Sequence, residues 1–373
     1  MRTLSVIRYL AALVLPSAHT SASPPINISP EKLQTLHTQA TQGVVEAQDF
    51  LGTLYFEGRS VPQDYAKARQ WWEKAAAQGS ASAQNDLGLL YVNGQGVPQD
   101  YTKARQLFEK AVAQDYATAQ NNLGTLYVNG QGVPQDHAKA QQWYEQAAAQ
   151  GNADAQYNLG VVYAEGRGVT QDYAKAQQLF EQAAAQSNAS AQNDLGLLYQ
   201  NGWGVPQGYA MARQWYERAA AQGYANAQQN LGVMYAKGDG VPQDYAKARQ
   251  WYEKAAVQGN ADAQYNLGVM FEEGHGVQQD YGKARQWYEK AAAQGDATAH
   301  FNLGGLYYNG NGVPQDYVRA YMWWSLAAAN STGDVQKSAA NNREAVALCM
   351  TPAQIVEAQR LAQQCQAQQF KGC

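Results

Sequence analysis

The phrase Gly-Val-Pro-Gln-Asp-Tyr-Ala-Lys-Ala-Arg-Gln-Trp returns, lightly varied, every 36 residues along almost the whole chain. Leu-Gly pairs mark the register at Leu51-Gly52, Leu87-Gly88, Leu123-Gly124, Leu159-Gly160, Leu195-Gly196, Leu231-Gly232, Leu267-Gly268 and Leu303-Gly304. A period of roughly 20–50 residues excludes an ordinary globular domain and points to stacked units, none of which can bury its apolar face alone. Such arrays offer long surfaces to partners, so binding is expected before chemistry.

Within one unit, Ser80 is placed to cap a helix whose Ala83, Leu87, Leu90 and Tyr91 fall on one face. Gly88, inside that helix, predicts the close approach of another helix. Asn93-Gly94-Gln95-Gly96-Val97-Pro98 stops the first helix, and Asp100 is placed to cap a second that carries Tyr101, Ala104, Phe108, Ala111 and Val112. Gly79, Gly151, Gly223, Gly259 and Gly295 stand where a left-handed residue ends the second helix; Asp115 and Ser187 interrupt that rule and predict less regular turns. Trp72, Phe108, Tyr144, Phe180, Tyr216, Tyr252, Tyr288 and Trp324 recur opposite alanines and read as core. The expected fold is all-α: eight helix-loop-helix repeats with helical caps.

The expected organisation is a signal peptide over 1–22, a linker and capping helix over 23–45, repeats over 46–333, and capping helices with a tail over 334–373. Arg2 and Arg8 precede the apolar run Tyr9–Leu15, and Ala22 or Ala18 ends the leader; the run is too short to span a membrane. The mature protein is therefore expected to be periplasmic or secreted, with no stable membrane insertion. The formal net charge of −4, with only 16% charged residues, gives no basic footprint for nucleic acid.

Cys349, Cys365 and Cys373 lie together near the C-terminus. Thr351, Pro352 and Gln354 predict a capped helix start, which puts Cys365 about 20 Å beyond Pro352 along the helix and Cys349 just before its start. Cys365 with Cys373 is the favoured disulfide, leaving Cys349 free.

Signals for catalysis are poor. Ser29-Pro30-Glu31-Lys32 matches a Ser-x-x-Lys pattern without its companion motifs and reads as a helix start. Glu272, Glu273 and His275 crowd one loop but match no metal-ligand spacing. No catalytic residue, metal or cofactor is expected.

The unit Ala-x-Ala-Gln-x-x-Leu-Gly-x-x-Tyr-x-x-Gly-x-Gly-Val-Pro-Gln-Asp-Tyr-x-Lys-Ala-x-x-Trp-Tyr-x-x-Ala-Ala-x-Gln-Gly resembles the Sel1-like repeat, a family similar to tetratricopeptide repeats. The resemblance implies a right-handed superhelical solenoid and a scaffold role in protein–protein contact. Two alternatives enter with it: a beta-lactamase-like hydrolase, as for some cysteine-rich relatives, whose repeat cysteines this chain lacks, and an envelope scaffold for polysaccharide assembly. Gly208, Met211, His137 and the first loop, Gly58-Arg59-Ser60-Val61, depart from the unit. Trp203 stands in the fifth loop, where weakened local order and a contact patch are both open readings.

In related helical-pair arrays the first helices line the concave side. Carried over by spacing, this gives Asn85, Asn121, Tyr157, Asn193, Gln229, Tyr265 and Phe301 at one level of a groove. Glu57, Asn93, Asn129, Glu165, Asn201, Lys237, Glu273 and Asn309 form another, with Glu272 adding acidity. Asn and Gln both donate and accept, so such a groove suits the backbone of a protein partner or extended peptide. Tyr157, Tyr265, Phe301 and Tyr308 are its expected aromatic anchors.

Overall fold

A computed structural model describes residues 28–373, and the expected signal peptide lies outside the described residues. Helix α1 (Pro30–Thr41) precedes eight helix pairs: α2 (Val45–Glu57) with α3 (Tyr65–Ala77), α4 (Ala81–Asn93) with α5 (Tyr101–Val112), α6 (Ala117–Asn129) with α7 (His137–Ala149), and α8 (Ala153–Glu165) with α9 (Tyr173–Ala185). The pairs continue as α10 (Ala189–Asn201) with α11 (Tyr209–Ala221), α12 (Ala225–Lys237) with α13 (Tyr245–Val257), α14 (Ala261–Glu273) with α15 (Tyr281–Ala292), and α16 (Ala297–Asn309) with α17 (Tyr317–Ala329). Helices α18 (Gly333–Ala347) and α19 (Pro352–Ala367) follow. The described residues contain no strand.

The chain divides into two compact units. The first holds the described residues through Leu198 with Trp203–Val205, and the second holds Tyr199–Gly202 with Pro206–Cys373. In the first, α4 packs on both α3 and α5, and in the second α14 packs on α13 and α15. The recurring aromatics fill these seams, and all eight are buried. Gly160 is what the seam requires of the first helix, because a Cβ there would lie 2.6 Å from Phe180. An alanine at that point overpacks a filled core.

Local chemistry fixes each loop. Gly94 ends α4 at φ 67°, and Gly96 at the same φ brings its backbone so close to the preceding repeat that a Cβ would sit 2.8 Å from that of Tyr65. The Gln99 side chain donates to Val92 O at 2.7 Å and the Asp100 amide to Tyr91 O at 2.9 Å, which satisfies carbonyls the helix end leaves over. Asp100 then accepts from the Lys103 amide at 2.9 Å. The same bond to Lys67, Lys139 and Lys283 holds the Asp64, Asp136 and Asp280 carboxyls below their ordinary range. Asp115 and Ser187, expected to loosen their turns, adopt the same left-handed backbone as the glycines, at φ 58° and 66°. Asp115 repays part of that strain by accepting from Gln120 and Gln150.

In the second unit α17 departs from the other second helices. Tyr321, Met322 and Leu326 replace polar residues and are buried, because α18 and α19 both pack on this helix. The capping box forms at Thr351, whose amide donates to Gln354 Oε1 at 2.8 Å. Cys365 and Cys373 are disulfide-bonded with Cα atoms 5.4 Å apart, and Cys349 is free and exposed. That bridge folds the tail back so that Phe370 packs against His300 with ring centroids 5.2 Å apart.

Candidate partner-binding face

The first helices share one register, so their fifth, twelfth and thirteenth residues return to the same side in every repeat. In the second unit this side is open to different degrees. Gln229, Tyr265, Glu272 and Phe301 are half-buried, while Lys237, Glu273, Asn309 and Tyr308 are exposed. Tyr265 leans on Tyr288 with centroids 5.7 Å apart, and Tyr308 lies against both Tyr317 and Trp324. These aromatic rings are held by core neighbours yet keep part of their surface free. Rigid aromatic contacts of that kind lose little entropy on binding.

The first unit places its counterparts differently. Asn93 and Asn129 are exposed, and Glu165 is half-buried and ion-paired with Arg167. Asn85, Asn121, Tyr157 and Asn193, expected on the groove surface, are buried instead. The reason lies in what they bond: Asn122 donates to Asn85 Oδ1 at 2.8 Å, and Asn158 donates to Asn121 Oδ1 at 2.9 Å. Tyr157 packs on Phe180 and bonds Asp194, which also accepts from Asn193 at 3.0 Å. These four are joints between repeats and neighbours, so the open part of the expected groove is the remainder.

Burial governs the electrostatics. It pushes the Asp194 carboxyl up to about 7 and raises those of Glu165 and Glu272. Tyr288 donates to Glu272 Oε2 at 2.5 Å, and burial, reinforced by that carboxylate, raises its hydroxyl strongly. Glu273 is paired with His275 at 3.0 Å. Ser29 accepts from the Lys32 amide at 3.4 Å as the cap of α1.

A half-buried ladder of amides runs between the repeats, at residues not expected to have a role. Gln114 donates to Gln84 Oε1 at 3.0 Å while Gln84 donates to Ala76 O at 3.3 Å; Gln294, Gln264 and Ala256 O repeat the relay at 2.8 and 3.1 Å. The signal was present as the Ala-Gln of the first helix and the Gln that follows the second, both kept through the first seven repeats. In the last repeat His300 takes the Gln place, donating from Nε2 to Ala292 O at 3.1 Å. Trp203, for its part, stacks on Tyr173 with centroids 5.7 Å apart. Helix α11 starts at Tyr209 although Gly208 supplies no side-chain cap, so the fifth repeat keeps its helix boundaries.

Antiparallel helix pairs on a 36-residue period, with glycine-hinged loops and an invariant aromatic seam, define a helical-repeat scaffold protein. The Sel1 repeat profile matches residues 45–80, 81–116, 117–152, 153–188, 189–224, 225–260, 261–296 and 297–331. The chain belongs to the Sel1 repeat family. It is similar to a solved Sel1 repeat protein from Oxalobacter formigenes, at 34% identity over 83% of this chain and 90% of that one, with a TM-score of 0.58. It is also 34% identical to c5321, a protective antigen of uropathogenic Escherichia coli strains with an SLR fold, over 89% of this chain and 78% of that one, with a TM-score of 0.47. No curated protein matches the chain. Among the described residues no helix is long and apolar enough to cross a membrane.

Proposed function

We propose that this protein is an exported, non-catalytic adaptor that holds an extended segment of a protein partner along the side of α12, α14 and α16 described above. The observation that carries the reading is the contrast within those helices. Leu231, Leu267 and Leu303 are buried identically, whereas Gln229, Tyr265 and Phe301 differ in kind and keep exposed surface. Variable, partly exposed aromatic and amide side chains on an invariant frame are what selective peptide recognition needs. Export is supported by the Cys365–Cys373 bridge, since structural disulfides persist in oxidising compartments.

The test places a photo-crosslinking residue at Tyr265 or Phe301, and as a control at the exposed Glu253 of α13, in the native host. Crosslinks to one partner from the first two positions only, reduced about tenfold or more by alanine at the other, are expected. Equal crosslinking from Glu253 overturns the reading. Catalytic turnover of a chromogenic lactam by the purified protein overturns its non-catalytic part.

A further inference from the structure

Three recurring seam tyrosines have their hydroxyl groups satisfied from the first helix of their own repeat. Tyr144 meets Thr125 at 3.1 Å, Tyr216 donates to Gln200 at 2.7 Å, and Tyr288 donates to Glu272 at 2.5 Å. The fourth is Tyr252. Ala236 stands where Gln200 and Glu272 stand in their repeats, and its methyl group cannot reach. Tyr252 is 3% exposed, and its hydroxyl has no hydrogen-bond partner among the described residues.

The space Ala236 leaves is a cavity of about 210 Å³. Val233, Ala236, Val269 and Met270 give it an apolar lining, and Tyr245, stacked on His275 at 4.6 Å, forms another wall. Tyr252, Asn266 and Lys237 are its remaining polar groups. The Asn266 side chain and the Lys237 ammonium are also without a partner among the described residues. An apolar cavity of roughly 150 Å³ already admits a benzene ring, so one side chain fits with room to spare.

We propose that this cavity accepts a glutamate side chain of an extended peptide, which completes Tyr252 from outside as Glu272 completes Tyr288 from within. The inference rests on the peptide-binding reading above and names the side chain that the face selects. The methylene stem lies on the apolar lining, and the carboxylate accepts from the Tyr252 hydroxyl and the Asn266 amide. Lys237 supplies the countercharge. The two nearby acids do not compete for it, because Glu272 is held by Tyr288 and Glu273 by His275. A leucine in the same place fills the volume but strips water from Tyr252 without replacing its bond, which is costly. Glutamine offers an acceptor without charge assistance and ranks between them.

The experiment titrates the full chain with the blocked pentapeptide Gly-Gly-Glu-Gly-Gly and its Gln and Leu versions, read by ligand-detected NMR. Affinity in the order Glu, Gln, Leu, with about tenfold or more between first and last, is expected. Ala236→Glu, which fills the cavity in the manner of Glu272, abolishes binding, and Tyr252→Phe weakens it about tenfold with the helical spectrum unchanged. Glutarate, the free form of the same chemistry, binds at least about tenfold more weakly because it lacks the backbone contacts. Equal affinity for the Glu and Leu peptides, indifference to Ala236→Glu, glutarate matching the peptide, or no saturation below about 10 mM each overturns the assignment. Failure of the broader reading is separate: it appears in the unaltered chain as crosslinking from Glu253 equal to that from Tyr265 and Phe301, whatever the peptides show.

Discussion

On α4 and α6 the fifth helical position holds Asn85 and Asn121, both consumed in bonds to the next repeat, while on α14 and α16 the same position holds Tyr265 and Phe301, with surface to spare. The backbone register is one and the same. An asparagine pair joins first helices at α4 and α6, and at the same place Tyr157 is buried against Phe180 and bonded to Asp194, whereas Tyr265 leans on Tyr288 and stays half-buried. Within this frame the same register position is buried in the first unit and partly exposed in the second, even where both hold tyrosine. At this position the first unit bonds to itself, and the second keeps exposed surface.

The largest test asks whether the frame beneath this difference is common to both units. Phe180→Ala in the first and Trp324→Ala in the second remove buried rings from equivalent places, and each should destabilise by about 3–5 kcal/mol in urea unfolding. A cost in one unit well below the other breaks the premise of a shared frame. Next comes acid. His300 is buried against Trp323 and Phe370, and burial pulls its imidazole down to about 4. Its folded value lies below the ordinary 6.5, so the unfolded chain binds the extra proton between those values. Stability is then full above pH 6.5 and falls as pH drops toward 4, by on the order of 2–3 kcal/mol. His300→Gln restores the amide of the other repeats and should flatten that slope in thermal melts. Asp194 in the first unit has the opposite sign: raised to about 7 by burial, it favours the folded state at low pH and loses that contribution as pH rises from about 4 to 7.

Which of these features could be read from the chain follows from the range of the interactions. Helix ends are set by residues three or four apart, so the Asp100 cap, the Thr351 box and the Gly94 turn were legible. The aromatic seam was legible too, because the period itself aligned its eight members. The burial of Asn85 and Asn121 was not. At 100° per residue they point away from Leu87 and Leu123, but successive first helices touch each other directly, as α6 does α8, and that second contact depends on how the repeats curve. The orphaned Tyr252 hydroxyl likewise needs the distance from Ala236 to a neighbouring helix, although the alanine itself was visible as a departure from Glu272 and Gln200.

The two units differ most plainly at a single register position. Asn122 in the first unit and Asn266 in the second occupy the same helical position, one donating to Asn85 in a buried joint, the other facing the cavity. Asn122→Ala leaves the Asn85 acceptor dry and should cost about 1–3 kcal/mol, whereas Asn266→Ala should stay within about 0.5 kcal/mol. Equal costs in chemical denaturation erase the distinction between a closed and an open face.

The smallest effect concerns the fifth repeat. Gly208 holds φ −154° and ψ 91°, nearly the −150° and 94° of the capping Asp244, so its backbone already awaits the missing side chain. Glycine serves as a cap almost as well as aspartate, within a few tenths of a kcal/mol. Gly208→Asp should therefore stabilise by only that much, and Asp244→Gly should cost about the same. A gain above about 1 kcal/mol for Gly208→Asp would mean that the start of α11 is frayed in solution, and that the second unit is loosened at its first helix as well as open along its face.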